Sequence, residues 1–457
     1  MRIAAYHLPS HISQFETELL PFGDVTLEVP RVTPTLLGDV MQHLETAGER
    51  LRKRKRREIV EILSAVFARL RDRTDPLRQT AEEALPAITG FSPAMVVHGL
   101  DLLCKGYGTD SFYELLQDAG VEEDLDGFVP RGSHLSRAYA PALTTHVLAG
   151  NIPGVGLPGL VAATLAGSAS LVKTASGDPL SPALWAASLS RQDPEIGECV
   201  AVLWWRGGQA DLEAVALEGA DAVIAYGSEK TMRDLQGRVR SRFLGHGHRV
   251  SLGVIGREVL VRADEVAEQS AYDVSLFDQQ GCLSPHCFYV EEGGAVSPKE
   301  FAEFLGSAMA KWAERLPPGS LTRGEAAAIR KFRAAYEAQR VAQKDIALFL
   351  HPRGLDWTVI FDPDPTFTLS CLHRTVVVKP VPDLSEVGGP LRSWRPYLQA
   401  AGVAVAPERT RMLANALGQA GVNRICPIGK MQAPPLTWYQ DGRFLLRDLL
   451  RWTDLEV

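Results

Sequence analysis

The chain has 457 residues, 46% of them hydrophobic and 23% charged, with a formal net charge of −7. That length exceeds the roughly 250–300 residues at which a single core stops growing, so at least two domains are expected. The composition excludes a disordered chain, and the negative balance argues against nonspecific nucleic-acid binding as the main activity. The six cysteines (Cys104, Cys199, Cys282, Cys287, Cys371 and Cys426) form no C-x-x-C pair and no His/Cys cluster at metal-ligand spacing. Neither disulfides nor a metal site is expected from them.

In chain order, Arg2 is followed by only Ile3, Ala4 and Ala5, too short an apolar run for a signal peptide, so a cytoplasmic location is the expectation. Residues 34–118 carry apolar positions at helical spacing and predict a helical opening. Within it the basic run Arg50–Arg57 reads as the solvated face of an amphipathic helix. The acidic cluster Glu122, Glu123, Asp124 and Asp126 gives way to Phe128-Val129-Pro130-Arg131-Gly132, a turn or hairpin arm. Strands are then predicted at 143–149, 170–174, 199–205 and 221–226, separated by helical segments 153–167, 182–191 and 210–218. That alternation implies a parallel sheet with helices on both faces. The uncharged stretch Asn151–Leu171 is interrupted by Pro153, Gly154, Gly156, Pro158 and Gly159, so no membrane span is expected. A second α/β region begins after Gly256, with strands at 259–261 and 286–291 and two helices over 299–345 broken at Pro317-Pro318-Gly319. A Leu/Arg-rich helix is predicted at 443–452.

Four short stretches carry chemistry. Asn151, in Ala149-Gly150-Asn151-Ile152-Pro153-Gly154, stands between a strand end and a helix start, where its amide can donate to a developing oxyanion, a role worth ~3–4 kcal/mol. Lys173 closes the next strand with Thr174 and Ser176 beside it, a set suited to a ribose or its 2′-phosphate. Gly227-Ser228 ends a third strand before a helix, where free N–H groups suit a pyrophosphate. Cys282 lies in the polar loop Asp278-Gln279-Gln280-Gly281-Cys282-Leu283-Ser284-Pro285, placed for a nucleophile. Taken singly, each has an ordinary structural reading: a helix cap, a surface charge, a turn and an inert thiol.

Their order resembles the aldehyde dehydrogenase superfamily. Within it the chain looks most like the fatty-acyl-CoA and acyl-protein thioester reductases of bacterial luminescence and their relatives. The residues that carry this are Gln279-Gln280-Gly281-Cys282 with Ser284-Pro285, Lys173-Thr174 with Asp178-Pro179, Ser251-Leu252-Gly253-Val254-Ile255, and Gly421-Val422-Asn423-Arg424-Ile425 with Gly429. The resemblance implies an α/β, aldehyde-dehydrogenase-like fold. An atypical Rossmann domain would occupy residues 1–120 and 138–256, and an α/β catalytic domain residues 257–430. A small arm, 121–137, and a C-terminal segment, 431–457, would serve oligomerisation. It further implies Asn151 as the oxyanion asparagine, Lys173 as the nucleotide-binding lysine, Gly227-Ser228 as the glycine-serine turn and Cys282 as the nucleophile.

Two departures from the superfamily pattern shape the functional expectation. Hydrolytic members carry a water-activating glutamate where this chain has Ser251, so a thioacyl-enzyme should pass its acyl group on rather than release acid. NAD-preferring members tend to carry a glutamate where this chain has Ser176, so a 2′-phosphate would meet no carboxylate there, and NADPH is expected ahead of NADH. His286, four residues after the cysteine, reads as a histidine opening a strand, with tuning of the thiolate or lining of the acyl site as the functional alternatives. The expected activity is reduction of an acyl thioester to an aldehyde through thioacyl-Cys282, without a metal. The donor would be acyl-CoA or an acyl group on a carrier or other protein, with an acyl-protein synthetase as partner and a homo-oligomer as the assembly. The alternatives are a hydrolytic aldehyde dehydrogenase, an acyl-phosphate reductase, and a non-catalytic protein that keeps the fold.

Overall fold

A computed structural model describes residues 1–342 and 345–456. It separates into two compact units, one formed by Met1–Thr89, Leu100–Gly247 and Pro435–Val457, the other by Gly90–Gly99 and His248–Pro434.

The first unit is built on five parallel strands in the order Arg242–His246, Ala222–Tyr226, Leu143–Val147, Ala169–Lys173, Val200–Leu203. The chain winds outward from Leu143–Val147 in one direction and resumes on its other side with Ala222–Tyr226, which makes a switch point between those two strands. Two buried threonine hydroxyls of this sheet are paired: Thr145 donates to the Ala216 carbonyl at 2.8 Å, and Thr144 meets Ser168 at 2.8 Å. The uncharged stretch becomes the helix Leu157–Ala166, buried on nearly every side, which is why it carries no charge. Among the described residues no helix is long and apolar enough to cross a membrane.

The basic run departs from its expected form. The helix Pro34–Lys53 stops there, Arg54 is extended, and a second helix runs Arg56–Arg71. Arg56 is buried, and its guanidinium donates to the carbonyls of Leu165 at 2.7 Å and Arg54 at 2.6 Å, closing helix ends that would otherwise leave acceptors unpaired. An N-terminal three-stranded sheet, with Thr17–Phe22 and Arg2–Ala4 flanking Val25–Pro30, was not foreseen. At the other end, the predicted helix over 443–452 shrinks to Leu445–Leu449, and Arg451–Leu455 pairs as a strand with His134–Tyr139, which also pairs Val129–Arg131. A partner strand some 300 residues away decides that conformation, and local spacing carries no trace of it.

The second unit holds seven strands in the order Ala347–Leu350, Thr358–Phe361, Thr375–Val381, Pro285–Glu291, Val250–Ile255, Leu398–Ala404, Arg424–Pro427, parallel except for the first pair. Val250–Ile255, read from the sequence as part of the first region, sits inside this sheet, so the division falls at Gly247 rather than after Gly256. The apolar triplet 259–261 lies within a 3-10 turn, Arg257–Arg262; so short a run does not distinguish turn from strand. The helices Pro298–Arg315 and Arg323–Ala342 break at the proline pair as expected. Residues 343 and 344 of the expected second helix, and residue 457 of the C-terminal segment, lie outside the described residues.

Two loops at the strand ends of the first unit touch backbone to backbone. A Cβ on Gly177 would stand 2.5 Å from the Gly150 carbonyl oxygen. The buried carboxylate of Asp178 accepts the N–H of Ser181 at 2.9 Å and those of Leu180 and Gly154, so it ties down the loop that carries Asn151. Gly177→Ala should therefore cost about 1–3 kcal/mol by overpacking. A urea-unfolding midpoint equal to that of the parent chain would show that the two loops separate freely.

Candidate active site

A cavity of about 690 Å³ opens at the C-terminal ends of the first unit's strands. Lys173 and Gly227 line it, with Trp205, Glu213, Tyr226 and Arg238. The other three residues expected at a nucleotide turn elsewhere. Thr174 is buried and donates to the Leu203 carbonyl at 3.3 Å. Ser176 is exposed and does not line the cavity. Ser228 caps the helix Glu229–Gln236, its Oγ accepting the Thr231 N–H at 3.2 Å, so its contribution is to the turn.

Glu213 and Arg238 were not singled out from the sequence, because a helix opening with acidic residues looks ordinary. Glu213 accepts the Gly208 N–H at 2.7 Å and Arg238 Nη1 at 2.5 Å. Burial pushes its carboxyl upward, but the hydrogen bonds from Arg238 and Gly208 and the charges of Arg238 and Lys173 outweigh that and hold it below the usual range. Burial pushes the Lys173 ammonium down, against the pull of Glu213. The cavity thus contains carboxylates after all, contrary to the reasoning from Ser176: Glu213, held beside Lys173 and Arg238, and Asp234. Such a set can hold a phosphate or a ribose. Beneath it, Tyr226 stacks on His246 at 4.7 Å and 16°, and His246 Nδ1 meets Asp441 Oδ2 at 2.6 Å.

In the second unit the cysteine turn rests on two runs of left-handed backbone: Phe277, Asp278 and Gln279, with φ of 50°, 49° and 63°, and Leu372, His373 and Arg374, with φ of 64°, 52° and 57°. The runs are locked together. Arg374 Nε donates to Asp278 at 2.7 Å, and the Gln279 amide accepts the Thr375 N–H and donates to the Thr375 and Pro285 carbonyls, each at 2.8 Å. The Asp278-Gln279 part of the motif is therefore scaffold, and it presents Cys282 half-buried in the turn before Pro285–Glu291. Cys104, Cys199, Cys287 and Cys426 are buried, and desolvation pushes their thiols up to about 11, 12, 12 and 11, which keeps them protonated and unreactive. Burial raises the Cys371 thiol as well.

Ser251 lies under this turn. It is fully buried, donates to the Cys282 carbonyl at 2.7 Å and accepts the Ala400 N–H at 3.1 Å, so its hydroxyl holds the loop. His286 is buried, and its Nδ1 accepts the Ser370 N–H at 3.2 Å. Desolvation, with a smaller push from His248, lowers it to about 4, so it is neutral near pH 7 and supplies no positive charge to a thiolate. Arg424 is one cation that interacts with Cys282, and its guanidinium is fixed by the carbonyls of Met431 at 2.6 Å and Lys430 at 2.8 Å.

The family model described as acyl-CoA reductase (LuxC) matches residues 51–452. The chain belongs to that family. It is 24% identical over 415 residues to a long-chain acyl-protein thioester reductase of Photobacterium leiognathi, covering 87% of this chain and 82% of that one. To the corresponding protein of Aliivibrio fischeri it is 25% identical over 346 residues, covering 72% and 68%. Among solved structures, its backbone is similar to that of aldehyde dehydrogenase 21 from Physcomitrella patens, with TM-score 0.78, 15% identity and 99% and 98% of the two chains covered. An NADP-dependent glyceraldehyde-3-phosphate dehydrogenase from Bacillus halodurans gives TM-score 0.72 and 14% identity, covering 97% and 96%. The acyl-CoA reductase (LuxC) family is one of oxidoreductases acting on acyl thioesters, and this member has the aldehyde dehydrogenase fold.

The depressed His286 sets a pH dependence. Below pH 6.5 the unfolded chain takes up a proton there that the folded chain refuses until about pH 4, so stability present above 6.5 is lost as the pH falls through that window. The loss from this one group is on the order of 3 kcal/mol. His286→Asn, which keeps an acceptor near the Nδ1 position, should flatten the slope of urea midpoint against pH between these limits. An unchanged slope would assign the acid sensitivity to other groups.

Proposed function

We propose that this family member reduces an acyl thioester to an aldehyde, with NADPH ahead of NADH, through a thioacyl intermediate on Cys282. The observation that carries the reading is Ser251. Where a hydrolytic enzyme needs a carboxylate beside the thioester, this chain has a buried hydroxyl bonded to the backbone of Cys282 itself. An acyl group on that sulfur is then protected from general-base hydrolysis, worth typically 10²–10⁴-fold, and persists for reduction.

In this account the Cys282 thiolate attacks the thioester carbonyl and the donor thiol departs. The Arg424 charge favours the thiolate, and the Asn151 amide is the donor proposed for the oxyanion. When bound, the nicotinamide supplies the hydride that converts the thioacyl group to a hemithioacetal. Collapse of that adduct breaks its carbon–sulfur bond, releasing the aldehyde and regenerating the Cys282 thiolate. Lys173, Arg238 and the Gly227 turn are the groups proposed to hold the dinucleotide, and the 690 Å³ cavity they share is within the size of small-molecule sites. The relatives' names support a long-chain acyl group carried on protein as donor, and the family description supports acyl-CoA; an acyl-protein synthetase as partner is part of the proposal. The proposal also includes a cytoplasmic location and association of like chains through the sheet of Val129–Arg131, His134–Tyr139 and Arg451–Leu455.

The test is a panel of acyl-CoA substrates of increasing length with NADPH and with NADH, following loss of the reduced nicotinamide and appearance of aldehyde. Oxidation of aldehyde to free acid without a thiol acceptor would instead favour a hydrolytic dehydrogenase. Cys282→Ala should abolish turnover while nicotinamide binding, read by fluorescence, survives. Lys173→Ala should raise KM for NADPH more than for NADH, by roughly 1–3 kcal/mol, the range for a charge-assisted hydrogen bond. Equal losses for both cofactors would move Lys173 from the 2′-phosphate to the ribose.

A further inference from the structure

Well away in sequence from every residue of the proposed chemistry, three metal-ligating side chains converge in the first unit. They are His11 in the N-terminal segment, His43 on the helix Pro34–Lys53, and Glu198 in the turn before Val200–Leu203. One donor atom from each lies within 4.8 Å of the other two. His43 Nε2 is 3.0 Å from Glu198 Oε2, and the two imidazoles stack with centroids 4.3 Å apart and planes at 30°. The other carboxylate oxygen, Oε1, accepts the Ser10 N–H at 2.9 Å, so the residue next to His11 orients the acid. Arg50, the nearby cation, is turned toward Glu195 at 3.7 Å, which leaves Glu198 to the histidines.

We propose that His11, His43 and Glu198 form a binding site for one zinc ion. A close contact with Glu198 needs only one imidazole. The second ring, brought against the same carboxylate, completes two nitrogens and one oxygen, a donor set zinc takes with water in its fourth position. Tetrahedral bonds of about 2.0–2.2 Å place donors roughly 3.3–3.6 Å apart. The His43–Glu198 pair is already near that spacing, and His11, exposed at the surface, closes the rest by a side-chain rotation of about an ångström. The carboxylate held by a backbone N–H is the outer-shell support that metal ligands commonly have. Borderline nitrogen donors favour zinc over magnesium or calcium, which take oxygen alone.

The consequence is structural. The segment beside His11 already bridges the edge strand of the sheet, His7 N–H to the Val202 carbonyl at 3.0 Å and Val202 N–H to the His7 carbonyl at 2.7 Å. A zinc ion would clamp that segment, the first long helix and the edge strand at one point. Ligands separated by 31 and 154 intervening residues give no local motif, which is why the sequence offered none.

The experiment uses the full chain carrying Cys282→Ala, to remove the accessible thiol, stripped with chelator and titrated with zinc chloride by calorimetry. One equivalent should bind at about micromolar Kd or tighter, and the same titration should raise Tm until saturation. His43→Ala and Glu198→Gln should each weaken binding by about a hundredfold or more. His11→Ala, a surface change that leaves the fold intact, should weaken it also and abolish the rise in Tm. His134→Ala, in the remote three-stranded sheet, should leave both unchanged. Zinc bound with parental affinity by the His11 and Glu198 variants, or the lack of any one-to-one binding in the parent, would overturn the site and leave a His43–Glu198 contact only.

Discussion

Two strained backbone runs that hold each other constrain the second unit. Six residues with side chains occupy the left-handed region there, at about 1–2 kcal/mol each, a sum comparable with the whole stability of an ordinary domain. Such a conformation persists because the partners are matched and buried: Asp278 with Arg374, and the Gln279 amide with both backbone groups of Thr375. The side chains that make the loop look chemical in the sequence are spent on geometry. Their product is a turn that offers one half-buried thiol, while four of the remaining five are sealed in the core.

The first unit follows a different rule, close packing of backbones. Gly150 and Gly177 let neighbouring strand-end loops touch, and Asp178 fastens them, so the loop carrying Asn151 is placed by the loop after the lysine strand. The cavity beside them balances charge locally: Lys173 and Arg238 are matched by Glu213 and Asp234, all four of which line it. Cations that can hold a phosphate and carboxylates that can accept from a hydroxyl stand together there, the set proposed for a dinucleotide.

Much of this was legible beforehand. The alternation of strand and helix from residue 143 gave the parallel sheet with its boundaries within a few residues, because buried parallel strands read as apolar runs. The chemical stretches stood at strand ends, where α/β folds put their ligands. Pairings across long separations were not legible: the strand at Arg451–Leu455, the placement of Val250–Ile255 in the second sheet, and the inward turn of Arg56. The same limit hid Glu213 and Arg238, 25 residues apart and joined only by the fold. Thr174 and Ser228 show the converse, hydroxyls in suggestive places that the backbone uses for itself.

The central claim is that an acyl group rests on Cys282 without being hydrolysed, since Ser251 is bound to the loop and activates no water. Mixing the chain with acyl-CoA and no nicotinamide, then quenching and mapping peptides by mass, tests it directly. The account predicts one acyl group per chain on the peptide containing Cys282, stable until NADPH is added and then released as aldehyde. Rapid appearance of free acid, or acyl groups on another residue with turnover intact, would contradict it.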